Sequence, residues 1–368
     1  MNKAIKYRIY PTAEQEVMFS KTFGCCRKIY NLMLEDKIKS YEETKSFGKQ
    51  SPAMYKDEYP YLKEVDSLAL SNAGLNLKAA MKNHFDKKRK KQTGFPKFKS
   101  YKRSRRAYTT NNQNGTVAII NNKYIKLPKI GKVKAVIHRE PNTDWKLKSV
   151  TISKDSDGKY YASVLFEYDK IIEPIKNPTK FIGLDYKSDG LYMDNEGYSP
   201  KGHKYFRKGQ KKLARAQRKL KHKKVGSKNY EKQKLKIAKI HKHIANQRKD
   251  FLHKESTKIT NLYDVVCVET LDMKAIGNKG FHNGKATMDN GYGMFLNFLE
   301  YKLADRGKYF IKIDKWYPSS QLCSECGSKK KLALSERVYK CECGLSIDRD
   351  INAAINILNE GLRMLEVA

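Results

Sequence analysis

The chain has 368 residues, 39% of them hydrophobic, with 76 Lys and Arg against 39 Asp and Glu and a formal charge of +37. That length suits two or three compact domains, and so large an excess of one sign repels itself in a compact fold unless a polyanion neutralises it, nucleic acid being the expected one. Seven cysteines in a long lysine-rich chain do not make a secreted disulfide framework, and no run approaches the roughly 18 apolar residues of a membrane span.

The opening MNKAIKYRIYPT carries Lys3, Lys6 and Arg8 and no apolar run, so it is not expected to be a signal peptide, and a reducing cytoplasm is expected. Its IKYRIY alternates like a strand that stops at Pro11. Thr12 with Gln15 is a capping-box pair, after which Met18, Cys25, Ile29 and Leu32 recur at helical spacing. A second helical face carries Leu70, Ala73, Leu77 and Ala80, so two or more helices are expected over 12–92. Residues 87–106, KKRKKQTGFPKFKSYKRSRR, hold eleven basic residues and no acid, with Phe95, Phe98 and Tyr101 among them. That mixture suits an arm that grips phosphates and offers aromatic faces to bases, through Lys97, Lys99, Lys102, Arg103, Arg105 and Arg106; a solvated lysine face is the plainer alternative.

From 107 to 170 the pattern is strand-like. GKVKAVIHR alternates, and SVTISKDSDGKYYASVLFEY reads as a hairpin turning at Asp157-Gly158. A small antiparallel barrel or sheet is expected, with the helices inserted after its first strand. A third unit opens at FIGLDYKSDGLYMDNEGY, where an apolar strand ends at Asp185, a second runs from Leu191 to Met193, and Asn195 to Gly197 turns it back. Residues 201–250 then hold 20 Lys or Arg against Glu231 and Asp250, broken at Gly226 and Ser227. Two basic helices are expected, with Leu213, Leu220, Ile237, Ile240 and Ile244 as the apolar side and Arg207, Lys211, Arg215, Arg218 and Arg248 as nucleic-acid contacts. LYDVVCVET (262–270) reads as a buried strand with Glu269 at its end, and YFIKIDKWYP (309–318) as a further strand halted by Pro318.

Cys323 and Cys326 form a C-x2-C knuckle, fourteen residues intervene, and Cys341 and Cys343 close the set as C-x-C. Thiolates at such spacing suit a tetrahedral structural zinc, since a ribbon this small cannot bury enough core to fold alone. A redox dithiol pair, or a ribbon that has lost tight metal binding, fits the spacing as well. Cys25, Cys26 and Cys267 lie in apolar patterns and are expected in cores.

Asp185 and Glu269 each end an apolar strand, and Asp350 begins the helical DINAAINILNEGLRML. An acid at a sheet end is costly unless it meets something positive. Three brought together would hold one or two Mg2+ through hard oxygen ligands, the arrangement that hydrolyses phosphodiesters. Taken singly, Asp350 could be a helix cap and Glu269 a surface strand end.

The segments GLDYKSDGLYMDNEG, VVCVET, WYPSSQLCSECG and CECGLSIDRDINAAINIL, together with FPKFK, LPKIG and NQRKDFLHK, resemble the TnpB family. Its members are RNA-guided DNA endonucleases of bacterial insertion sequences, related to compact type V CRISPR effectors. The resemblance implies an α+β multidomain fold. An antiparallel wedge β-barrel (1–10 and 105–172) would carry an inserted helical recognition lobe (11–104). An RNase H-like, RuvC-type nuclease domain (173–317 and 350–368) would carry a zinc-ribbon, target-nucleic-acid-binding insertion (318–349). The catalytic acids, and Mg2+ ligands, fall on Asp185, Glu269 and Asp350, with Asp348 a neighbouring cap. The ribbon takes one structural Zn2+ on Cys323, Cys326, Cys341 and Cys343.

The implied partners are a guide RNA from the transposon end and double-stranded target DNA beside a short motif, with one protein chain per guide, no membrane, and a bacterial, nucleoid-associated location. Thr110, Asn111, Lys63 and Asn72 are candidates for reading the motif. This sequence departs from the family in having Thr270 where an acid is common after Glu269, and in the shortened C-x-C knuckle. A guided binder without cleavage is disfavoured because all three acids are present, and a strand-transferring transposase because no separate DNA-end-binding module is apparent.

Overall fold

A computed structural model describes residues 1–88, 93–202, 204–278, 284–333 and 335–366. The chain divides into two compact units, Met1–Lys170 and Ile171–Ala368.

In the first unit, strand β1 (Asn2–Tyr10) leads into helix α1 (Ala13–Thr44). Pro11 ends the strand, and the Thr12–Gln15 capping box supplies the first turn of the helix with partners. Two short 3-10 turns precede α2 (Ser67–Phe85), which Asp66 caps by accepting the Leu68 amide at 3.1 Å. Strands β2 (Arg106–Asn111), β3 (Ala118–Ile120), β4 (Tyr124–Leu127), β5 (Gly131–Val136), β6 (Lys146–Lys154) and β7 (Tyr160–Glu167) follow. They join β1 in a seven-stranded sheet of order β2-β6-β7-β1-β5-β4-β3.

Every pairing in this sheet is antiparallel, and β1 lies inside it between β7 and β5. The helices are thus an insertion between two strands of one sheet. The β6–β7 turn is the expected one, with Gly158 at φ +82° and its amide donating to the Asp155 carbonyl at 3.0 Å. The expected antiparallel barrel or sheet is present as a curled half-barrel sheet, with β2 and β3 at its edges.

Alternation along β1 buries Ile5, Tyr7 and Ile9, and these share one core with α1 and α2. Phe19 and Phe23 of α1 meet Tyr160 and Tyr108 of the sheet at ring separations of 5.5 and 5.8 Å. The buried stripe of α1 runs through Phe19, Phe23, Cys26, Tyr30 and Met33, leaving the expected Met18 and Leu32 half-buried at its margin.

The second unit is built on strands β8 (Phe181–Tyr186), β9 (Tyr192–Asp194), β10 (Val265–Val268) and β11 (Tyr309–Lys312), in the order β11-β10-β8-β9. β8, β10 and β11 are parallel and β9 returns antiparallel. Between β9 and β10 lie the basic helices α3 (Tyr205–Lys221) and α4 (Lys228–Leu262), separated at Gly226 (φ +84°) and restarted by the Ser227 cap. Leu213, Ala216, Ile240 and Ile244 zip them together. After β10 come α5 (Met273–Ile276), α6 (Gly284–Asn290) and α7 (Tyr292–Ala304). A two-stranded ribbon, β12 (Val338–Lys340) and β13 (Ser346–Asp348), leads into α8 (Arg349–Glu366).

Strand periodicity decides what each sheet face meets. Ile182, Leu184, Val266 and Val268 point to a core with Leu252 and Ile259 of α4 and Phe295, Leu299 and Leu303 of α7. Phe181, Val265 and Cys267 point the other way, to Ile357 and Leu358 of α8. Helix α8 lies so close that a β-carbon on Gly183 would overlap the Ala354 carbonyl, and one on Gly361 would overlap the Cys267 thiol. Cys25, Cys26 and Cys267 are buried, as expected, and burial pushes the thiols of Cys26 and Cys267 up to about 12.

The expected strand 309–318 ends at Lys312, because Asp314 and Pro318 turn the chain: Asp314 Oδ1 accepts the Trp316 amide at 2.7 Å. No described helix is long and apolar enough to cross a membrane.

Candidate active site and metal centre

The same parity that aims Gly183 at α8 aims Asp185 there, and the parity of Val265 and Cys267 carries on to Glu269. Because β8 and β10 are parallel, both acids emerge at one sheet edge. Their carboxyls hydrogen-bond each other, and the Tyr186 amide donates to Glu269 Oε1 at 3.3 Å. Asp350 approaches from the first turn of α8 and is ion-paired to Lys187 at 3.5 Å.

Burial, then the charges of Glu269 and Asp350, holds the Asp185 carboxyl well above its ordinary range. Burial also raises Glu269, against the Tyr186 amide and the Asp185 hydrogen bond, which favour its charged form. Burial and mutual repulsion thus disfavour charging both carboxyls of the pair together. Such mutual repulsion is what a bound cation relieves. Asp348 is the cap: its Oδ1 accepts the Asp350 amide at 2.8 Å, freeing the Asp350 carboxylate from that duty.

The four cysteines form a second, tighter group. Among the described residues they are the one His/Cys/Asp/Glu set whose ligand atoms all lie within 4.8 Å of one another. Sγ separations are 3.6 Å for Cys323–Cys343 and 3.5 Å for Cys326–Cys341, against about 3.8 Å between sulfurs around a tetrahedral zinc with 2.3 Å bonds. Gly327 (φ +71°) and Gly344 (φ +101°) let each knuckle turn. Ser328 Oγ, 3.1 Å from both Cys326 and Cys341 Sγ, pulls both thiols below their ordinary value, Cys341 to about 6. Tyr339 is the one large side chain fully buried among the described residues of 318–349. The four thiols could hold a metal ion such as zinc.

The sequence did not single out the side chains that join the two centres. Asn352, fully buried, donates from Nδ2 to the Leu322 carbonyl at 2.7 Å and accepts the Ser324 amide at 3.0 Å. Asn356 donates to the carbonyls of Ser319 and Leu322, both at 2.8 Å. Two polar residues on the buried side of a helix otherwise lined by Ala353, Ala354 and Ile357 are the signal that could have found them.

Beside the acids, the rings of Tyr186 and Tyr292 lie 4.8 Å apart, both hydroxyls buried and without a hydrogen-bond partner among the described residues. Asn290 Nδ2 donates to the carbonyls of Lys187 and Ser188, at 3.1 and 2.7 Å, just past Asp185. Thr270 Oγ1 donates to the Ile313 carbonyl at 2.7 Å, so the residue in place of the common acid ties β10 to the chain leaving β11.

The expected nucleic-acid contacts divide. Lys97, Lys102, Arg103, Arg105 and Arg106 are exposed, among exposed Phe95, Phe98 and Tyr101. Of the basic run, 89–92 lie outside the described residues. Lys99 is half-buried over the Tyr30 ring, 3.6 Å from its centroid, and its backbone is held to Asn31 by two hydrogen bonds. Arg207, Lys211, Arg215 and Arg218 form an exposed stripe on α3.

Thr110 is a correction: it sits on the inward face of β2 with Tyr108, its hydroxyl buried, while Asn111 is half-exposed. Arg248 is half-buried, its guanidinium 3.7 Å from Asp289, the acid that accepts the Phe206 and Arg207 amides at the start of α3. Lys63 pairs with Asp57 at 3.0 Å, and Asn72 donates to the Leu68 carbonyl of its own helix at 2.8 Å.

A buried carboxylate pair at a sheet edge thus stands beside a four-thiol ribbon that leads into the helix carrying a third acid. The family profile described as "Cas12f1-like, TNB domain" matches residues 292–357, that described as "Probable transposase" matches 163–278, and that described as "Helix-turn-helix domain" matches 1–46. The last stretch folds here as β1 and one long helix.

A Streptomyces pristinaespiralis protein named "Putative RNA-guided DNA endonuclease" is 34% identical over 98% of this chain and 90% of its own. The Escherichia coli K12 protein named "Putative RNA-guided DNA endonuclease InsQ" is 29% identical over 99% and 93%. The chain belongs to the TnpB family. Its fold is shared by a chain in the cryo-EM structure of a Cas12f1–sgRNA–target DNA complex, with TM-score 0.61 over 98% of this chain and 99% of that one, at 16% identity.

Proposed function

We propose that this protein is an RNA-guided DNA endonuclease of RuvC type. It binds a structured guide RNA and cleaves complementary double-stranded DNA beside a short flanking motif. The observation that carries the reading is the convergence of Asp185, Glu269 and Asp350 at one sheet edge, where burial and the charges of its two neighbours raise the Asp185 carboxyl well above its ordinary range. Names of full-length relatives support it.

The donor set is all hard carboxylate oxygen, which suits Mg2+ better than a thiophilic ion. When bound there, Mg2+ supplies an activated water and charge stabilisation for the leaving oxygen. The chain's own residues do the rest. Asp185 and Glu269 would offer their carboxylate oxygens to the ion, and Glu269 is oriented by the Tyr186 amide. Lys187 sits where it can neutralise Asp350 before the ion arrives or meet a phosphate afterwards. Hydrolysis adds water across one P–O bond and leaves a phosphate and a hydroxyl end.

We assign Zn2+ to the four cysteines on their spacing and on the closeness of their sulfurs. Guide and target are gripped by the exposed cations at 97–106 and on α3, whose charge is read by backbone phosphates whatever the sequence.

The test is to purify the protein from cells carrying its native locus, sequence the RNA that co-purifies, and incubate that complex with Mg2+ and a plasmid library randomised beside a guide-matched target. Cleaved plasmids sharing one flank are the expected result. Guide-dependent binding without cleavage overturns the nuclease reading in favour of a guided repressor.

A further inference from the structure

The turn that leaves β11 carries a side chain the site has not used. Trp316 is 79% exposed, an unusual position for a residue whose size favours burial. Its backbone is fixed from three sides. Asp314 Oδ1 accepts the Trp316 amide at 2.7 Å, and the Tyr317 amide donates to the Asp314 carbonyl at 3.2 Å. Towards the sheet, the Ile313 amide donates to the Val268 carbonyl at 2.9 Å and Thr270 Oγ1 donates to the Ile313 carbonyl at 2.7 Å. Towards the helix, Tyr317 packs with Ile357 and Leu358, and Asn356 holds the Ser319 carbonyl. The exposure is therefore built into a rigid turn, and Lys315 Nζ stands 4.6 Å from the indole centroid.

The position is as informative as the exposure. β8, β10 and β11 are parallel, so the turn after β11 leaves the sheet at the edge where Asp185 and Glu269 emerge. Two strand spacings of about 4.8 Å separate the ends of β11 and β8, roughly 10 Å in all. The indole, four residues past the end of β11, belongs to a turn that leaves the sheet on the side where the acids emerge.

We propose that Trp316, with Lys315, is a base-stacking platform that holds single-stranded DNA at the mouth of the carboxylate pocket. Every base offers an aromatic face, so the platform tolerates any sequence, and the Lys315 ammonium meets the adjoining phosphate. Single-stranded DNA is favoured over a protein partner by the +37 charge of the chain and by the acids alongside. The inference rests on the endonuclease reading and gives Thr270 a part, as the tether joining Glu269's strand to the platform.

The chain has two tryptophans, and Trp145 lies in the other unit, stacked on Tyr168. Trp145→Phe therefore leaves Trp316 as the single indole reporter. In the guide-loaded Trp145→Phe, Asp185→Ala protein, titration with oligodeoxythymidylate should quench Trp316 emission along the binding curve seen by gel shift. In the cutting assay, Trp316→Ala should slow cleavage of bound target by about 10-fold, the size of one lost base stack, without changing guide binding or melting temperature, and Trp316→Phe should restore most of the rate. Unchanged emission while the oligonucleotide is bound, or wild-type cutting by Trp316→Ala, overturns the platform. If the unmutated complex does not cut at all, the endonuclease reading fails by itself, and the fluorescence titration still decides the platform.

Discussion

Asn352 holds Ser324: its Oδ1 accepts the Ser324 amide at 3.0 Å inside the first cysteine knuckle, two residues along α8 from Asp350. The same side chain donates to Leu322, so one buried amide fixes the entry to the ribbon against the helix that presents an acid. Asn352→Ala leaves the half-buried Ser324 amide without its acceptor and the Leu322 carbonyl to Asn356 alone, a cost of about 2 kcal/mol. Melting temperature should fall by roughly 4–8 °C. Cutting should slow while guide RNA affinity holds, since the guide-gripping cations are elsewhere. Calorimetry and a filter-binding assay check the two halves, and a parental melting curve would mean that these hydrogen bonds stabilise nothing.

Asp185→Ala removes an Mg2+ ligand in the proposed site. Several kcal/mol of transition-state stabilisation rest on the bound ion, so cutting should fall by roughly 1,000-fold or more. Guide and target binding should stay within a few-fold, as gel shifts in Ca2+ can show. Asp185→Asn, which cannot ionise beside Glu269, should melt no lower than the parent without metal, because the parental carboxyl is crowded by burial and like charge. Residual cutting near the parental rate would remove Asp185 from the mechanism.

Cys323 is the buried thiol of its set. Cys323→Ser should lower zinc content from one per chain and melting temperature together, and a chelator should reproduce the loss in the parent but add little in the variant. Because Tyr339 is nearly the whole apolar core of the ribbon, partial unfolding should be confined to 318–349, visible as faster amide exchange there. Full zinc occupancy in Cys323→Ser would refute the four-thiol assignment.

What the sequence made legible follows from short-range physics. Apolar runs ending in an acid marked Asp185 and Glu269, the cysteine spacing marked the ribbon, and the Thr12–Gln15 pair marked the start of α1. The parity of β2 was not legible, because Thr109 and Thr110 are identical and only the pairing of Thr110 with Val150 decides which faces inward. Arg248 reads as one more cation on a basic helix until its long-range partner Asp289 is known. The ties from Asn352 and Asn356 depend on the packing of α8 against the ribbon's entry, which no local pattern encodes. Sheet order, with β1 buried between β5 and β7, is likewise a non-local outcome.

Lys302 offers a test that depends on neither metal. Its ammonium, half-buried between α7 and α4, donates to the His253 carbonyl at 2.8 Å and to the hydroxyls of Ser256 and Thr257, both at 2.7 Å. Burial, helped by Arg306, lowers its pKa to about 8 from 10.5. Below that value the charged form carries its full desolvation penalty. Between about 8 and 10.5 the unfolded chain binds the proton that the folded chain has released, so stability contributed by this group rises with pH across that window. Lys302→Met removes the titration. The difference in melting temperature, parent minus variant, should therefore increase as pH is raised from 8 towards 10.5. A difference that stays flat or falls would show that the hydroxyl cage solvates the ammonium as well as water does.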